Sequence, residues 1–226
     1  MNNSVIITGN KGFIGKFLHN SLMKLGFKVI GFDKEKNLQN ENIVQQIMND
    51  HSDYFHLINA FAINDHVKID KKTNSALTSP LSEFKEYLDV NVTSLYSVCR
   101  EFIKTREQGN IINFSSIYGL ISPDPKIYET FLNKEIGYPV SKNAVIGLSN
   151  YLAVNYAPNF KVNTLALGGI INNQSKPFVE KYSKKVPMNR MMNIEEILPT
   201  ILLLLNEKNT YMTGSLINID GGYSII

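Results

Sequence analysis

The sequence predicts an α/β fold in which helices cover both faces of one parallel sheet. Short apolar runs rich in β-branched residues alternate along the chain with longer stretches that carry apolar residues at helical spacing. A glycine-rich turn joins the first apolar run to the first helical stretch. The 226 residues are 43% hydrophobic, which is enough for a single domain, 1–226, with a full core.

The first two elements surround the glycine-rich turn 8–15, TGNKGFIG. Residues 4–8 are a short apolar run typical of a buried strand, and residues 13–25 form a helical pattern that Gly26 closes. A strand, a glycine turn and a helix make a phosphate site, because the turn lets the backbone approach closely and the helix start offers unpaired N–H groups. The turn therefore indicates a bound nucleotide.

The second strand, 27–32, ends at Asp33. In a dinucleotide-binding fold an acidic residue at this point accepts hydrogen bonds from the adenosine ribose and repels a 2′-phosphate, which favours NAD. Lys11 and Lys34 lie close to it in the sequence and would attract a 2′-phosphate. NADP is therefore the alternative cofactor.

The path from the second strand to the next buried strand is short. Residues 34–50 hold a polar turn and one helical pattern where a helix and a strand usually lie. We expect the third strand to be a stub around 37–38 or to be missing. The predicted fold is therefore a Rossmann-type doubly wound parallel sheet with a shortened third-strand region.

Polar residues follow two later strands. The run 54–58 leads into Asn59 and Ala60, and small residues there let a flat cofactor lie against the strand end. The run 110–114 leads into Ser115 and Ser116. Ligands bind at the carboxyl ends of strands in open α/β sheets, so we expect both strand ends at the same edge of the sheet as the glycine turn.

Helical spacing extends over 84–102 and encloses Asn91. An asparagine inside a helix is intrinsically unfavourable, because its side chain competes for backbone hydrogen bonds. We therefore expect Asn91 to lie on the outer face or to have a specific role.

Tyr138 and Lys142 lie four residues apart on a predicted helix that continues through Tyr156, so they share a face. A free tyrosine has a pKa of about 10, and an ammonium group one turn away favours the phenolate. Tyr138 is then suited to exchange a proton with a carbinol or carbonyl oxygen. A serine hydroxyl would hold the same oxygen, and a nicotinamide would carry the hydride.

The order of these motifs resembles the short-chain dehydrogenase/reductase family almost from end to end. The resemblance implies that Tyr138 is the acid/base and that Lys142 also binds the nicotinamide ribose. It implies that Ser116, not Ser115, holds the reacting oxygen and that Asn91 keeps a water for a proton relay. The matching motifs are TGNKGFIG, Asp33, Ile58-Asn59-Ala60, Asn91-Val92, Asn113-Phe114-Ser115-Ser116, Tyr138-x-x-x-Lys142, Lys161-Val162-Asn163, Gly168-Gly169, and Thr213-Gly214 leading to Asp220-Gly221-Gly222.

The resemblance implies NAD as cofactor, with NADP as the alternative. The residues expected to hold it are Gly9, Lys11, Gly12, Phe13, Ile14, Asp33, Asn59, Ala60, Tyr138, Lys142, Gly169 and Ile171.

Different parts of the chain resemble different branches of the family. The glycine spacing, with Phe13 at a usual glycine, is similar to the branch that handles nucleotide sugars. The runs 115–128 and 168–174 resemble a branch associated with bacterial surface sugars, which serves sialic-acid-like sugars and flagellin glycans. The substrate implied is a sugar phosphate or nucleotide sugar. The loops that surround this substrate are expected at about 121–137 and 170–192. The residues expected to contact the substrate are Lys126, Tyr128, Gln174 and Arg190.

Two other functions stay open. One is a sugar-nucleotide dehydratase or epimerase, which uses the same Tyr-Lys pair with a tightly held cofactor. Similar dehydratases carry threonine and acidic residues where this chain has Ser116-Ile117-Tyr118. The other is a non-catalytic nucleotide-binding partner, which the shortened adenine region favours. The presence of all four residues of the family's catalytic tetrad, Asn91, Ser116, Tyr138 and Lys142, disfavours it.

The remaining features narrow the class. Scattered charges with a formal net charge of +3 predict no nucleic-acid partner, and the histidines show no metal-ligand spacing. The one cysteine, Cys99, has a helical setting that predicts a buried small side chain. With neither a signal peptide nor a membrane-length apolar run, we expect a cytoplasmic protein. The apolar end 223–226 predicts a homodimer or homotetramer.

Overall fold

The computed structural model describes residues 3–64, 77–128 and 134–226. These residues contain a six-stranded parallel sheet with the strand order β2-β1-β3-β4-β5-β6. The strands are β1 Ser4–Thr8, β2 Lys28–Phe32, β3 His56–Asn59, β4 Gly109–Ser116, β5 Phe160–Leu167 and β6 Leu216–Ile219. The helices are α1 Phe13–Lys24, α2 Glu41–Asp50, α3 Leu81–Leu88, α4 Leu95–Lys104, α5 Gly137–Tyr156, α6 Lys176–Ser183 and α7 Leu198–Leu205.

Successive side chains of each central strand enter opposite cores. Ile6 of β1 and Ile111 of β4 belong to the core under α2, α4 and α5. Their neighbours Ile7 and Ile112 belong to the core under α1 and α7. Because both faces of β1, β3, β4 and β5 are covered, these strands are almost continuously buried, and each carries a central apolar run. The predicted doubly wound α/β fold is confirmed.

The shortened third-strand region contains no strand. Residues 33–55, all of which the structure describes, form a 3₁₀ turn at Lys34–Lys36 and helix α2. The stub expected around Asn37 does not form, because Asn37 adopts a left-handed conformation that ends the 3₁₀ turn. Strand β2 is therefore the edge of the sheet.

The helical pattern of 84–102 is not one uniform helix. A π-helical turn, Asp89–Ser94, lies between α3 and α4 and carries Asn91. Such turns are often found at functional sites, because the wider turn displaces side chains and backbone groups from regular helical positions.

A chain of buried amides ties the carboxyl ends of the central strands together. The Thr8 hydroxyl donates to Asn59 Oδ1 at 2.7 Å, and Asn59 Nδ2 donates to Asn113 Oδ1 at 2.8 Å. Asn113 Nδ2 then donates to the Ser149 hydroxyl of α5 at 2.9 Å. The chain links the strand that enters the glycine turn to the helix that carries Tyr138.

Cys99 is fully buried beside this chain, as predicted, and burial raises the pKa of its thiol to about 12. Across the three described ranges, every helix is too short or too polar to cross a membrane.

Candidate active site

A cavity of about 750 Å³ opens at the carboxyl ends of β1, β3, β4 and β5. The strand order reverses between β2 and β3 on either side of β1, so the cavity lies at the switch point where open α/β sheets bind ligands. Gly12 and Ile14 line one end of the cavity, Ser116 and Tyr138 line its middle, and Gln174 lines the other end.

The glycine turn has the geometry of a phosphate cradle. Gly9 has φ +77°, and a Cβ there would lie 2.5 Å from the backbone nitrogen of Phe61. A Cβ on Gly15 would lie 2.0 Å from the carbonyl oxygen of Gly9. Gly12 caps α1 without a side-chain hydrogen bond, so the N–H groups of the first turn face the cavity end uncapped by any side chain. These features fit a dinucleotide pyrophosphate.

The Asp33 carboxylate is held in place at the end of β2. One oxygen accepts the backbone N–H of Lys11 and the other accepts that of Lys34, each at 2.7 Å. The ammonium of Lys11 pairs with Glu35 at 2.9 Å. Lys11 is thus engaged by a second carboxylate, which lowers its capacity to attract a 2′-phosphate.

Three residues of the predicted tetrad meet in the cavity. Ser116, Tyr138 and Lys142 all line it, and Lys142 Nζ lies 5.8 Å from the centroid of the Tyr138 ring. Lys142 Nζ donates to the carbonyl oxygen of Phe114 at 2.9 Å. The Ser115 hydroxyl is engaged with helix α5, because it donates to the Lys142 carbonyl oxygen at 2.8 Å.

Burial dominates the proton affinities of this group. It raises the pKa of Tyr138, and the nearby Ser116 side chain opposes that rise. It lowers the pKa of the Lys142 ammonium to about 8. The sequence argument expected a lowered pKa for Tyr138, and that expectation is wrong for the structure as described. Removing the phenol from water outweighs the stabilising effect of its neighbours.

Asn91 lies behind the cavity and does not line it. Its Oδ1 accepts the N–H of Ile63 at 2.7 Å, and its Nδ2 donates to the Ile63 carbonyl at 3.1 Å and to the Ser141 hydroxyl at 3.0 Å. The amide thereby clamps the segment after β3 to the catalytic helix. Both amide hydrogens are used in this clamp.

The wall opposite the glycine turn is aromatic and amide-rich. The hydroxyl of Tyr128 donates to that of Tyr118 at 3.0 Å, and Phe178 of α6 packs against the Tyr128 ring. Tyr182 stacks on Tyr223, and its hydroxyl accepts the N–H of Gly169 at 2.5 Å.

Several predicted contacts lie off the cavity wall. Lys126 is exposed on a 3₁₀ turn outside the lining. Arg190 forms a two-pronged salt bridge to Glu196 and lies behind the cavity. Ile171 points out of the lining and donates its N–H to the Met192 carbonyl at 2.9 Å. Asn59 is buried in the amide chain, and residues 129–133 of the expected loop lie outside the described ranges.

Ten predicted residues reach the lining, whereas Gly9, Lys11 and Asp33 lie at the glycine turn outside it, and sequence reasoning missed some neighbours. Predicted residues on the wall are Gly12, Phe13, Ile14, Ala60, Ser116, Tyr128, Tyr138, Lys142, Gly169 and Gln174. The main omission is Lys134, whose Nζ lies 4.6 Å from the centroid of the Tyr138 ring. Lys134 precedes helix α5, which begins at Gly137, so helical spacing does not predict where its side chain lies. Ile170, Tyr118 and Phe178 were missed as well.

A family model described as Enoyl-(Acyl carrier protein) reductase matches residues 3–224. The chain therefore belongs to the short-chain dehydrogenase/reductase family, a family of oxidoreductases. The predicted family is confirmed.

Relatives differ in the function that their names give. Post-translational flagellin modification protein A of Campylobacter coli is 37% identical over 127 residues, which cover 55% of this chain and 50% of that protein. The chain thus matches about half the length of that relative. The 3-oxoacyl-(acyl-carrier-protein) reductase FabG of Aquifex aeolicus is 30% identical over 229 residues, covering 97% of this chain and 86% of that protein.

Among solved structures, a short-chain dehydrogenase of Leptospira borgpetersenii with bound NAD+ superposes with a TM-score of 0.86. It is 27% identical, and the match covers 100% of this chain and 94% of that one. The aldohexose dehydrogenase of Thermoplasma acidophilum has a TM-score of 0.82 at 21% identity, which shows the shared fold; the match covers 100% of this chain and 95% of that one.

Proposed function

We propose that the protein is an NAD(P)-dependent oxidoreductase that interconverts a hydroxyl and a ketone on a sugar phosphate or nucleotide sugar of surface-glycan biosynthesis. The observation that carries this proposal is the grouping of Ser116, Tyr138 and Lys142 on a cavity that begins at a phosphate-binding turn. The family match supports the reaction class.

The cofactor residues follow from the geometry of the nucleotide end. The first-turn N–H groups of Phe13 and Ile14 would hold the pyrophosphate, and Asp33 would accept the adenosine ribose hydroxyls. Lys142 would donate to the nicotinamide ribose. Asp33 with Glu35 beside it favours NAD over NADP. Bound there, the nicotinamide supplies the hydride acceptor or donor.

The chain's own residues manage the oxygen and its proton. Ser116 holds the substrate oxygen, and Tyr138 gives a proton to it during ketone reduction or removes one during alcohol oxidation. The raised pKa keeps Tyr138 protonated near neutral pH, which suits the reduction. Asn91 is a positioning residue, because it fixes the backbone around Ser141 on the helix that carries Tyr138 and Lys142.

The sugar assignment rests on two observations. Amide side chains of Asn172, Asn173 and Gln174 and the rings of Tyr128 and Phe178 line the far end of the cavity. Amides bind hydroxyl groups, and aromatic rings pack against the apolar faces of sugar rings. The similarity to the flagellin modification protein also supports a sugar substrate.

A second candidate substrate is a 3-oxoacyl thioester, which the near full-length match to 3-oxoacyl-(acyl-carrier-protein) reductase favours. A dehydratase or epimerase and a non-catalytic nucleotide-binding partner stay as further alternatives. They differ in observable ways: the dehydratase or epimerase would retain its cofactor through purification, and the non-catalytic partner would show no turnover.

One experiment separates these functions. Purified protein is incubated with NADH or NADPH and a panel of keto sugars, nucleotide keto sugars and a 3-oxoacyl thioester, and cofactor absorbance is followed. Loss of absorbance with a sugar ketone, abolished in Tyr138→Phe, is the expected result. Turnover of the thioester alone would replace the sugar assignment, and turnover of none would contradict the enzymatic proposal.

We also infer that the chain self-associates in the cytoplasm as a homodimer or homotetramer. Tyr151 and Val154 on α5 are 62% and 80% exposed, and Ile225 and Ile226 at the C-terminal end are 81% and 79% exposed. Burying these apolar side chains would favour association. Light scattering after size exclusion tests this, and a monomer at all concentrations would contradict it.

A further inference from the structure

Two phenols on the cavity wall form a hydrogen-bonded pair. Tyr118 and Tyr128 both line the cavity, and the Tyr128 hydroxyl donates to the Tyr118 hydroxyl at 3.0 Å. Within the described ranges, no other residue forms a hydrogen bond with either hydroxyl. A phenol hydroxyl can both donate and accept, so the single bond between them leaves one hydrogen and one oxygen of the pair unused, whichever phenol donates. The pair therefore keeps one donor and one acceptor for a ligand.

Tyr118 lies next to the residue that holds the substrate oxygen in the proposed function. It belongs to the 3₁₀ turn Ile117–Gly119, which Ser116 caps at its N-terminal end. The N–H of Tyr118 donates to the Ser116 hydroxyl oxygen at 3.2 Å, a bond that does not use the Ser116 hydrogen. One short turn therefore connects the serine that holds the reacting oxygen to one member of the phenol pair.

Tyr128 is held in place by helix α6. Its ring packs against Phe178 with the ring centroids 5.7 Å apart, and its carbonyl oxygen accepts the Lys181 ammonium at 3.4 Å. Asp124, four residues before Tyr128, forms a salt bridge with Lys185 just beyond the helix. Because packing and these contacts hold the pair, its hydroxyls need little reordering when a ligand binds.

Burial keeps both phenols neutral. It raises the pKa of Tyr128 to about 12, and it raises the pKa of Tyr118 as well. At neutral pH the pair therefore offers a hydrogen and a lone pair, and not a negative charge. A ligand group that matches the pair must accept one hydrogen bond and donate another. A hydroxyl group does both.

We propose that Tyr118 and Tyr128 bind a substrate hydroxyl other than the one that reacts, with one phenol donating to it and the other accepting from it. The two phenols are specificity-determining residues, and the substrate is a polyhydroxylated ketone or alcohol. This inference rests on the proposed function, whose cavity it shares. It separates the two candidate substrates, because the acyl part of a 3-oxoacyl thioester offers carbonyl acceptors without a hydroxyl donor.

Selectivity between matched substrates tests the pair. The sugar ketone of the panel that turns over fastest is compared with its monodeoxy derivatives, each of which lacks one hydroxyl. At one of these positions the wild type should prefer the hydroxylated substrate by about tenfold or more in kcat/KM. Tyr118→Phe should remove most of this preference and leave the preferences at the other positions unchanged. A purely structural effect would instead lower kcat/KM for all derivatives alike.

Tyr223→Phe is the matched control. Tyr223 is a buried phenol that stacks on Tyr182 outside the cavity lining, and its hydroxyl has no hydrogen-bond partner among the residues described. This variant should keep the wild-type selectivity. Tyr128→Phe should lower the preference, and the variant with both changes should lose less than the two single losses combined, because the two phenols bind one group.

A binding measurement tests the pair without turnover. Keto sugars of the panel and their monodeoxy derivatives are titrated into protein saturated with NAD+, which cannot reduce a ketone. Binding is followed by saturation-transfer NMR. Loss of the recognised hydroxyl and the change Tyr118→Phe should each weaken binding by about tenfold, and together they should weaken it little further.

The two proposals fail in different ways. Turnover of sugar ketones with equal hydroxyl-to-deoxy ratios in wild type and Tyr118→Phe would overturn the hydroxyl site and leave the oxidoreductase function standing. Binding that depends on one hydroxyl and on Tyr118, without turnover of any member of the panel, would support the hydroxyl site and contradict the proposed function.

Discussion

Replacing Asp33 by asparagine should weaken NADH binding and reduce the preference for NADH over NADPH. Both oxygens of the carboxylate already accept backbone N–H groups at 2.7 Å, and each retains a lone pair for a ribose hydroxyl. In Asp33→Asn one oxygen becomes an NH2 group, which faces a donor and loses a charged hydrogen bond. Such bonds are worth about 1.5–3 kcal/mol, which corresponds to a roughly 10- to 100-fold rise in the Kd for NADH.

For NADPH, Asp33→Asn also removes the repulsion between the carboxylate and the 2′-phosphate, which favours binding. Repulsion between like charges about 4 Å apart amounts to about 1 kcal/mol in water and about 4 kcal/mol near a protein surface. Losing the carboxylate removes this repulsion and offsets the lost hydrogen bond. The ratio of the Kd for NADPH to the Kd for NADH should therefore fall about tenfold or more.

Calorimetric titration of the purified protein with each nucleotide measures both constants. Asp53→Asn is the matched control, because the Asp53 carboxylate accepts from Lys28 Nζ at 2.7 Å at the start of β2, whereas Asp33 follows the end of β2. It should leave both constants unchanged. A folded Asp33→Asn protein with the wild-type ratio would refute the assignment of Asp33 as the ribose acceptor and would transfer the preference to Lys11 and Glu35.

Three further predictions concern the catalytic helix and the amide chain. Because burial raises the pKa of Tyr138, ketone reduction should persist at neutral pH and fall as the phenol ionises, whereas alcohol oxidation should rise with pH; initial rates in both directions test this, and parallel profiles would contradict it. Burial of the Lys142 ammonium lowers its pKa from 10.5 to about 8, so between these pH values the unfolded chain binds more protons than the folded one. The free energy of unfolding of the wild type should therefore rise relative to that of Lys142→Met as the pH increases from about 8 to 10.5. Denaturant unfolding at several pH values should show Lys142→Met more stable below pH 8 by about 1–3 kcal/mol, and a difference independent of pH would reject this reasoning. Asn113→Ala removes the oxygen that accepts from Asn59 Nδ2 and the amide that donates to Ser149, so it should lower the free energy of unfolding by roughly 2–4 kcal/mol. The exposed Asn42→Ala should change it by less than about 0.5 kcal/mol, and equal losses would argue against the amide chain as a stabilising feature.

Much of the fold could be predicted from local patterns. The apolar runs within β1, β3, β4 and β5 are buried on both faces, and such short runs are visible in the sequence. The helix around Tyr138 and Lys142 extends over Gly137–Tyr156, close to the predicted 138–156. The π-helical turn at Asn91 could not be predicted, because its residues have the same helical spacing as a regular helix.

The candidate site could be predicted where a residue's place follows from its strand. Ser116 and Asp33 each lie at a strand end, and the shared edge of a parallel sheet brings such ends together. Lys126 and Arg190 lie in loops, where sequence position does not determine which surface a side chain meets. Arg190 is committed to Glu196, a partner that the loop conformation supplies.

The sequence alone determined the class of this protein: the alternating elements, the glycine turn, and the order of Asn91, Ser116, Tyr138 and Lys142 are local or ordered features that survive without coordinates. Only the tertiary structure decided the charge environment of the site. The distance of Lys134 from the Tyr138 ring and the burial that raises the pKa of Tyr138 depend on which elements surround the phenol. Desolvation is a property of the surrounding packing, and no residue's own sequence neighbours specify it.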